Sequence, residues 1–210
     1  MITALTVNYN TPDLLENLLI SFRQFYDIPY MVVDGSDAVH FAMIKEFPEK
    51  YKIDLHHFNT NIHHGPGLAY GFKTIKTEQI LTLDSDMRIL KYGFIEDLQS
   101  KLRPESYGIG STCIIDRDGI ASNLGIKYLH PSCALINREI ALRFALPVRH
   151  GAPMISTMQD IASKGLDILQ HEEWVASDMI HAFHKDDISN RFYINHEWCG
   201  TVKRTGSMNL

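Results

Sequence analysis

At 210 residues, with 45% hydrophobic and 21% charged side chains, the chain has the composition of one globular domain with a full core. A formal net charge of −5 without a long run of either sign gives no nucleic-acid footprint, and no apolar run approaches the roughly 20 residues of a membrane span. Three widely spaced cysteines, Cys113, Cys133 and Cys199, form neither a CxxC pair nor a zinc pattern, and their odd number opposes a secreted disulfide framework, so a reduced, cytoplasmic setting is expected.

The opening Met1-Ile2-Thr3-Ala4-Leu5-Thr6-Val7 has no basic region and no long apolar core, and reads as a strand over 2–8 rather than a signal peptide. Asn8-Tyr9-Asn10-Thr11-Pro12 ends it, with Thr11 as a helix N-cap and Pro12 at the first helical position. Leu14, Leu15, Leu18, Leu19 and Phe22 follow at helical spacing. A second apolar run at 29–33 closes on Asp34-Gly35-Ser36-Asp37, and Phe41, Ile44 and Phe47 give another helical face. Residues 51–58 predict a third strand. A Gly-rich turn over Asn61–Gly67 leads into a helix over 67–76, and a fourth strand follows at 79–84. This alternation predicts an α/β fold with a mostly parallel, Rossmann-type central sheet and helices on both faces.

The pattern changes after Asp86. Phe94, Leu98 and Leu102 predict a helix ending before Pro104, and 107–115 a strand. The turn Asp116-Arg117-Asp118-Gly119 makes 120–128 its hairpin partner. A short loop and strand at His130–Ile136, a helix over Arg138–Phe144, and a helix over 154–164 closed by Gly165 come next, then one or two short strands in 166–196. One domain is expected: a nucleotide-binding half at 1–90, a mixed, irregular half at 91–196, and a tail at 197–210.

The sharpest chemical signal is Asp84-Ser85-Asp86. Apolar residues draw the preceding strand into a core that two carboxylates cannot enter unpartnered. The boundary therefore falls at the carboxyl end of a buried strand, where open α/β sheets place ligands. A hard divalent cation shared with a phosphate resolves the conflict. If the parallel strands are neighbours, Asn8–Asn10, Asp34–Asp37 and Asp84–Asp86 share one edge. A nucleotide there meets Tyr9 and Asp34 near its base and the carboxylate pair near its ribose and phosphates.

Thr6-Val7-Asn8-Tyr9-Asn10, Val32-Val33-Asp34-Gly35-Ser36-Asp37, the Asn-to-Gly turn over Asn61–Gly71 and Leu83-Asp84-Ser85-Asp86 together resemble the successive signatures of family 2-type glycosyltransferases with the GT-A fold. The resemblance covers residues 2–90 and continues more loosely through His130–Ile136, His150–Gly165 and His196–Thr201. It implies a nucleotide-sugar donor, UDP- or GDP-linked, an Mn²⁺ or Mg²⁺ ion, and a glycan, lipid-linked or small-molecule acceptor. Asp34 would bind the base, with Asn8, Tyr9, Asn10, Gly35 and Ser36 lining its pocket. Asp84 and Ser85 would face the ribose or metal, and Asp86 the metal on the diphosphate.

Other roles follow from the same resemblance. The turn His63-His64-Gly65-Pro66-Gly67 departs from the family's simpler form, and it opens a helix whose N-terminus favours anions, so His64 and Gly65 are candidate diphosphate contacts. His196 is the candidate late metal ligand, with His181 and His184 as competitors. Lys203 and Arg204 are candidates to close over the diphosphate, and Trp174 and Trp198 to stack on a sugar. His130 is placed on the acceptor side, and Cys133 in the core. The helix start that usually carries an acidic catalytic pair contains none here, which leaves His150, an imidazole suited to neutral pH, and Asp160, two turns into the helix, as candidate bases, with transfer by retention, which needs no such base, also open. Two other readings remain open: a sugar-phosphate nucleotidyltransferase, disfavoured by the absence of a basic loop after the first strand, and a non-catalytic sugar-nucleotide-binding protein.

Overall fold

The computed structural model describes residues 1–164 and 192–197. A six-stranded sheet in the order β3-β2-β1-β4-β7-β6 forms its centre. Strands β1 (Ile2–Asn8), β2 (Tyr30–Asp34), β3 (Asp54–His57) and β4 (Gln79–Leu83) are parallel. Strands β6 (Gly108–Ile115) and β7 (Ile126–Asn137) join antiparallel. The mostly parallel sheet with a mixed second half is as expected.

Helices cover both faces. Side chains alternate in β1: Ile2 and Ala4 join one buried cluster and Leu5 the other. The first cluster takes Leu15, Leu18, Leu19 and Phe22 from α1 (Pro12–Arg23), with Ile44 of α2 (Ala38–Ile44) and Phe47 and Tyr51 of α3 (Phe47–Tyr51). The second takes Leu68 and Phe72 from α4 (His64–Thr74) and Ile155, Met158 and Ile161 from α7 (Ile155–Ser163). Helix α5 (Phe94–Lys101) packs on the first side, and the short α6 (Arg138–Ala141) follows β7.

Several local expectations shift. The face expected from Phe41 to Phe47 divides into α2 and α3. Asp37 caps α2 by accepting from the amides of Val39 and His40. Thr11 stands at the N-cap of α1 but makes no capping bond; its hydroxyl donates to Asn8 Oδ1 at 2.8 Å. The hairpin partner expected at 120–128 and the strand expected at 130–136 are one strand, β7. Pro131 fits inside it because the β6–β7 ladder is irregular between Gly110 and Thr112, so its missing N–H costs no ladder bond.

Two features set up the site. Helix α4 lies tight on β1, where a Cβ on Gly67 would meet Val7 at 2.7 Å and one on Gly71 would meet Leu5 at 2.5 Å. A second, two-stranded sheet pairs β5 (Met87–Ile89) with β8 (Ile194–His196), antiparallel, with Met87 opposite His196. Among the described residues no helix is long and apolar enough to cross a membrane.

Candidate active site

Strand β4 stops at Leu83 because its last residues are held from both sides. Thr6 of β1 donates its hydroxyl to the Leu83 carbonyl at 2.9 Å, and the Asp84 amide donates to the Ser132 carbonyl of β7 at 2.9 Å. The chain then turns, the Met87 amide reaching the Asp84 carbonyl at 3.2 Å, and Ser85 is buried within the turn. Both aspartates are left beside β8, and the amide of Glu197, the residue after that strand, donates to the Asp86 carbonyl at 2.8 Å. His196 Nε2 lies 2.9 Å from Asp86 Oδ1 and 3.8 Å from Asp84 Oδ2, with only 3% of its side chain exposed. One ligand atom from each of Asp84, Asp86 and His196 falls within 4.8 Å of the others. Two carboxylate oxygens and an imidazole at that spacing fit a divalent cation.

A group of histidines adjoins these carboxylates. His64, the first residue of α4, puts Nε2 3.5 Å from Asp84 Oδ1. Burial pushes its pKa down to about 4, with the charge of Asp86 opposing. His150 stands beside the preceding residue, His63: their ring centroids are 6.3 Å apart. Desolvation of the ring, then His64 and His63, lower the His150 pKa, and Asp84 works against them. The contact that unites the two loops is backbone to backbone. The Gly65 amide donates to the Arg149 carbonyl at 2.9 Å, and a Cβ on Gly65 would lie 2.4 Å from the Arg149 nitrogen. The Gly65 N–H is thus committed to Arg149 rather than presented to an anion.

At the neighbouring strand ends the polar side chains bond to one another. Asp34 is fully buried. Its Oδ1 accepts from Asn8 Nδ2 at 2.7 Å and from the Ser36 hydroxyl at 2.6 Å. Its Oδ2 takes the Ser36 amide at 3.3 Å and faces His57 Nδ1 at 2.7 Å. Asn10, at φ +54°, donates its amide to Ser36 Oγ, and its side chain exchanges two bonds with Asp37. Gly35 is where residues 60–62 close over the loop, since a Cβ there would lie 2.9 Å from the Thr60 carbonyl oxygen. Asp34, expected to bind a base, is fully buried in this network, and Tyr9 is half-buried.

No family model matches the chain, and no curated protein matches its sequence. Solved structures share its fold. The chain is similar to the mannosyltransferase PcManGT from Pyrobaculum calidifontis, solved with GDP-Man and Mn²⁺, at 14% identity and a TM-score of 0.58 over 82% of this chain and 54% of that one. It is similar to the glycosyltransferase GlyE of Streptococcus pneumoniae at 15% identity and a TM-score of 0.56, over 92% of this chain and 53% of that one. It is also similar to mouse xyloside xylosyltransferase 1 at 11% identity and a TM-score of 0.54, over 96% of this chain and 99% of that one. The chain has a GT-A-like fold. It spans about half the length of the first two of these proteins.

The GT-A architecture gathers Asn8, Asp34, Asp84, Asp86 and His64 at one sheet edge, with His196 brought in by β8. His130 is tied to the same edge indirectly: its Nδ1 lies 2.8 Å from the hydroxyl of Ser132, whose carbonyl holds Asp84. Asp160 is engaged elsewhere, accepting from the Ala145 amide at 2.7 Å and pairing with Lys164 at 3.0 Å, which together hold its pKa below the usual carboxylate range. Cys133 is buried opposite Leu83. His181, His184, Trp174, Trp198, Lys203, Arg204 and the closing Gly165 lie outside the described residues. Three contributors went unforeseen. The Ser132 carbonyl and the Thr6 hydroxyl lie in stretches singled out in the sequence, but neither group was assigned a role there. His57 had one available signal: a third parallel strand beside β2 sets its end against Asp34.

Proposed function

We propose that the protein is a metal-dependent glycosyltransferase that moves a sugar from a nucleotide-diphosphate donor to an acceptor hydroxyl. The observation that carries this reading is the Asp84, Asp86 and His196 cluster, beside His64, at the carboxyl edge of the parallel strands of a GT-A-like sheet. Asp84, Asp86 and His196 would hold Mn²⁺ or Mg²⁺, and the imidazole nitrogen favours Mn²⁺. A cation there supplies Lewis-acid stabilisation of the negative charge that develops on the leaving diphosphate.

The chain's own residues do the rest. Asn8, Asn10, Asp34 and Ser36 brace the β1 and β2 loops under the nucleoside, with Tyr9 and Gly35 at the pocket wall and Ser85 inside the carboxylate turn. His64 contacts the diphosphate or donor sugar, and Gly65 admits the loop that carries His150. His150 takes the proton of the acceptor hydroxyl as its oxygen bonds to the anomeric carbon and the bond to the diphosphate breaks. Its lowered pKa keeps the imidazole neutral near pH 7, so that a ring nitrogen is open to that proton. Asp160 is less suited, because its carboxylate is held by Ala145 and Lys164. His130 lines the acceptor side.

The mannosyltransferase neighbour was solved with GDP-Man and Mn²⁺, which supports testing guanine as well as uracil donors. The test is calorimetry and donor turnover with UDP- and GDP-sugars, with and without Mn²⁺. One donor is expected to bind in a Mn²⁺-dependent way. Asp86→Ala is expected to lower turnover by about 10³-fold, the scale of several kcal/mol of lost charge stabilisation. Metal-independent binding, or full turnover in Asp86→Ala, rejects the reading.

A further inference from the structure

Resting on the glycosyltransferase reading, we propose that His57, rather than Asp34, reads the nucleobase, and that Asp34 fixes its hydrogen-bonding role so that the site selects bases with a ring N–H, uracil or guanine, over cytosine. Residues at the ends of adjacent parallel strands meet here: Asp34 of β2 is the register partner of His57 of β3. Asp34 cannot itself touch a ligand in this arrangement. It is fully buried, and both oxygens are occupied. His57 sits on the solvent side of it, with 16% of its side chain exposed.

The direction of the Asp34–His57 bond follows from the other donors. The Asn10 amide donates to Ser36 Oγ, so the Ser36 hydroxyl hydrogen is free to go to Asp34. Asn8 Nδ2 and the Ser36 amide also donate to this carboxyl. With three donors already on it, the carboxyl serves as an acceptor, so His57 Nδ1 carries the hydrogen of the 2.7 Å bond. In the neutral ring Nε2 is then an acceptor. Nε2 makes no hydrogen bond among the described residues. The His57 side chain keeps 16% exposure, and Nε2 is not among the buried, unpartnered atoms of the described residues, Ser106 Oγ and Tyr107 Oη. Phe41 holds the ring plane by stacking on it at 3.7 Å between centroids and 16° between planes. An oriented acceptor takes the N–H of uracil or guanine and meets only a lone pair on the ring nitrogen of cytosine.

The prediction can be inverted by one atom. In Asp34→Asn, Asn8 Nδ2 and the Ser36 hydroxyl, the two donors on Oδ1, hold the amide oxygen on their side, which turns the NH₂ towards His57 Nδ1. The ring must then accept at Nδ1 and carry its hydrogen on Nε2. The experiment is calorimetry of UDP, GDP and CDP with Mn²⁺ at about pH 8, above the ordinary imidazole range, with ¹⁵N NMR of the histidine ring nitrogens. Wild-type protein is expected to show His57 with hydrogen on Nδ1. Its Nε2 signal should move with UDP and not with inorganic diphosphate, and UDP or GDP should bind roughly tenfold more tightly than CDP, the scale of one hydrogen bond. Asp34→Asn is expected to abolish or reverse that ratio. Equal binding of UDP and CDP, hydrogen on Nε2 in the wild type, or an unchanged ratio in Asp34→Asn overturns the inference alone. Failure of all three nucleotides to bind overturns the glycosyltransferase reading as well. Should Asp34→Asn not fold, the wild-type ratio and ring-nitrogen signals decide.

Discussion

In the parallel part of the sheet, the residue that matters is the last of its strand or the next one along: Asn8 on β1, Asp34 on β2, His57 on β3, Asp84 after β4. In the antiparallel part the contributions sit anywhere. Ser132 works from the middle of β7 and through its backbone, His196 arrives at the end of β8, and His150 comes from a loop before α7. Parallel strands bring all their carboxyl ends to one edge, so a polar residue ending such a strand arrives there with its neighbours. Antiparallel strands send alternate ends to opposite edges. What they contribute is set by register and by how closely two backbones approach.

That contrast can be broken where the back half is asked for chemistry. With His150 as the base, His150→Gln should lower kcat by about 10³-fold, within the usual span for a lost general base, while donor affinity changes little. Asp160→Asn should change kcat only slightly. The opposite pattern in single-turnover assays would move the base into α7 and make the helix, rather than the loop, the organising element.

A second test acts on the junction between the halves. In Gly65→Ala the new Cβ would sit 2.4 Å from the Arg149 nitrogen and 2.5 Å from its oxygen, both backbone atoms that cannot rotate away. The 148–150 loop must shift, taking His150 from its place beside His63. A displacement of about 1 Å can cost roughly 10²-fold in rate, and that loss is expected in kcat, with a lowered Tm from overpacking. Unchanged kcat with a lowered Tm would mean that the close approach serves packing only.

The mildest test concerns the parallel half. The Thr6 hydroxyl bonds the Leu83 carbonyl at 2.9 Å and Tyr30 Oη at 2.8 Å, both buried. Thr6→Val should cost about 1–2 kcal/mol. For a chain of this size that is roughly 2–8 °C in Tm. Turnover at 25 °C should remain within a few-fold, because β1 and β4 stay paired through their ladder. A large loss of turnover would make Thr6 a positioning residue for Asp84.

The legible part of the site is the part written at strand ends. Apolar runs closing on Asn8, Asp34 and Asp84-Ser85-Asp86 announced both the strands and their shared edge, since burial drives the run inward and charge stops it. Less legible was what those residues would do once there. Asp34 reads as a ligand contact in sequence, yet three neighbouring donors and a facing imidazole draw it inside. Gly65 reads as an anion-binding glycine, yet its amide goes to Arg149. The three-residue strand β5 is too short to show a period, and its partner β8 lies more than 100 residues further along the chain.

The sequence by itself determined the layered α/β fold, the edge where a ligand would lie and the carboxylate pair at its centre, because those depend on alternation and on the cost of burying charge. Only the tertiary structure decided that His196 pairs with Asp86, that His150 stands beside His63, and that His57 keeps some exposure where Asp34 has none. Those outcomes depend on register between distant strands, on a 2.9 Å backbone contact that only glycine admits, and on competition among donors for two buried oxygens. None of these is a property of any one stretch of chain.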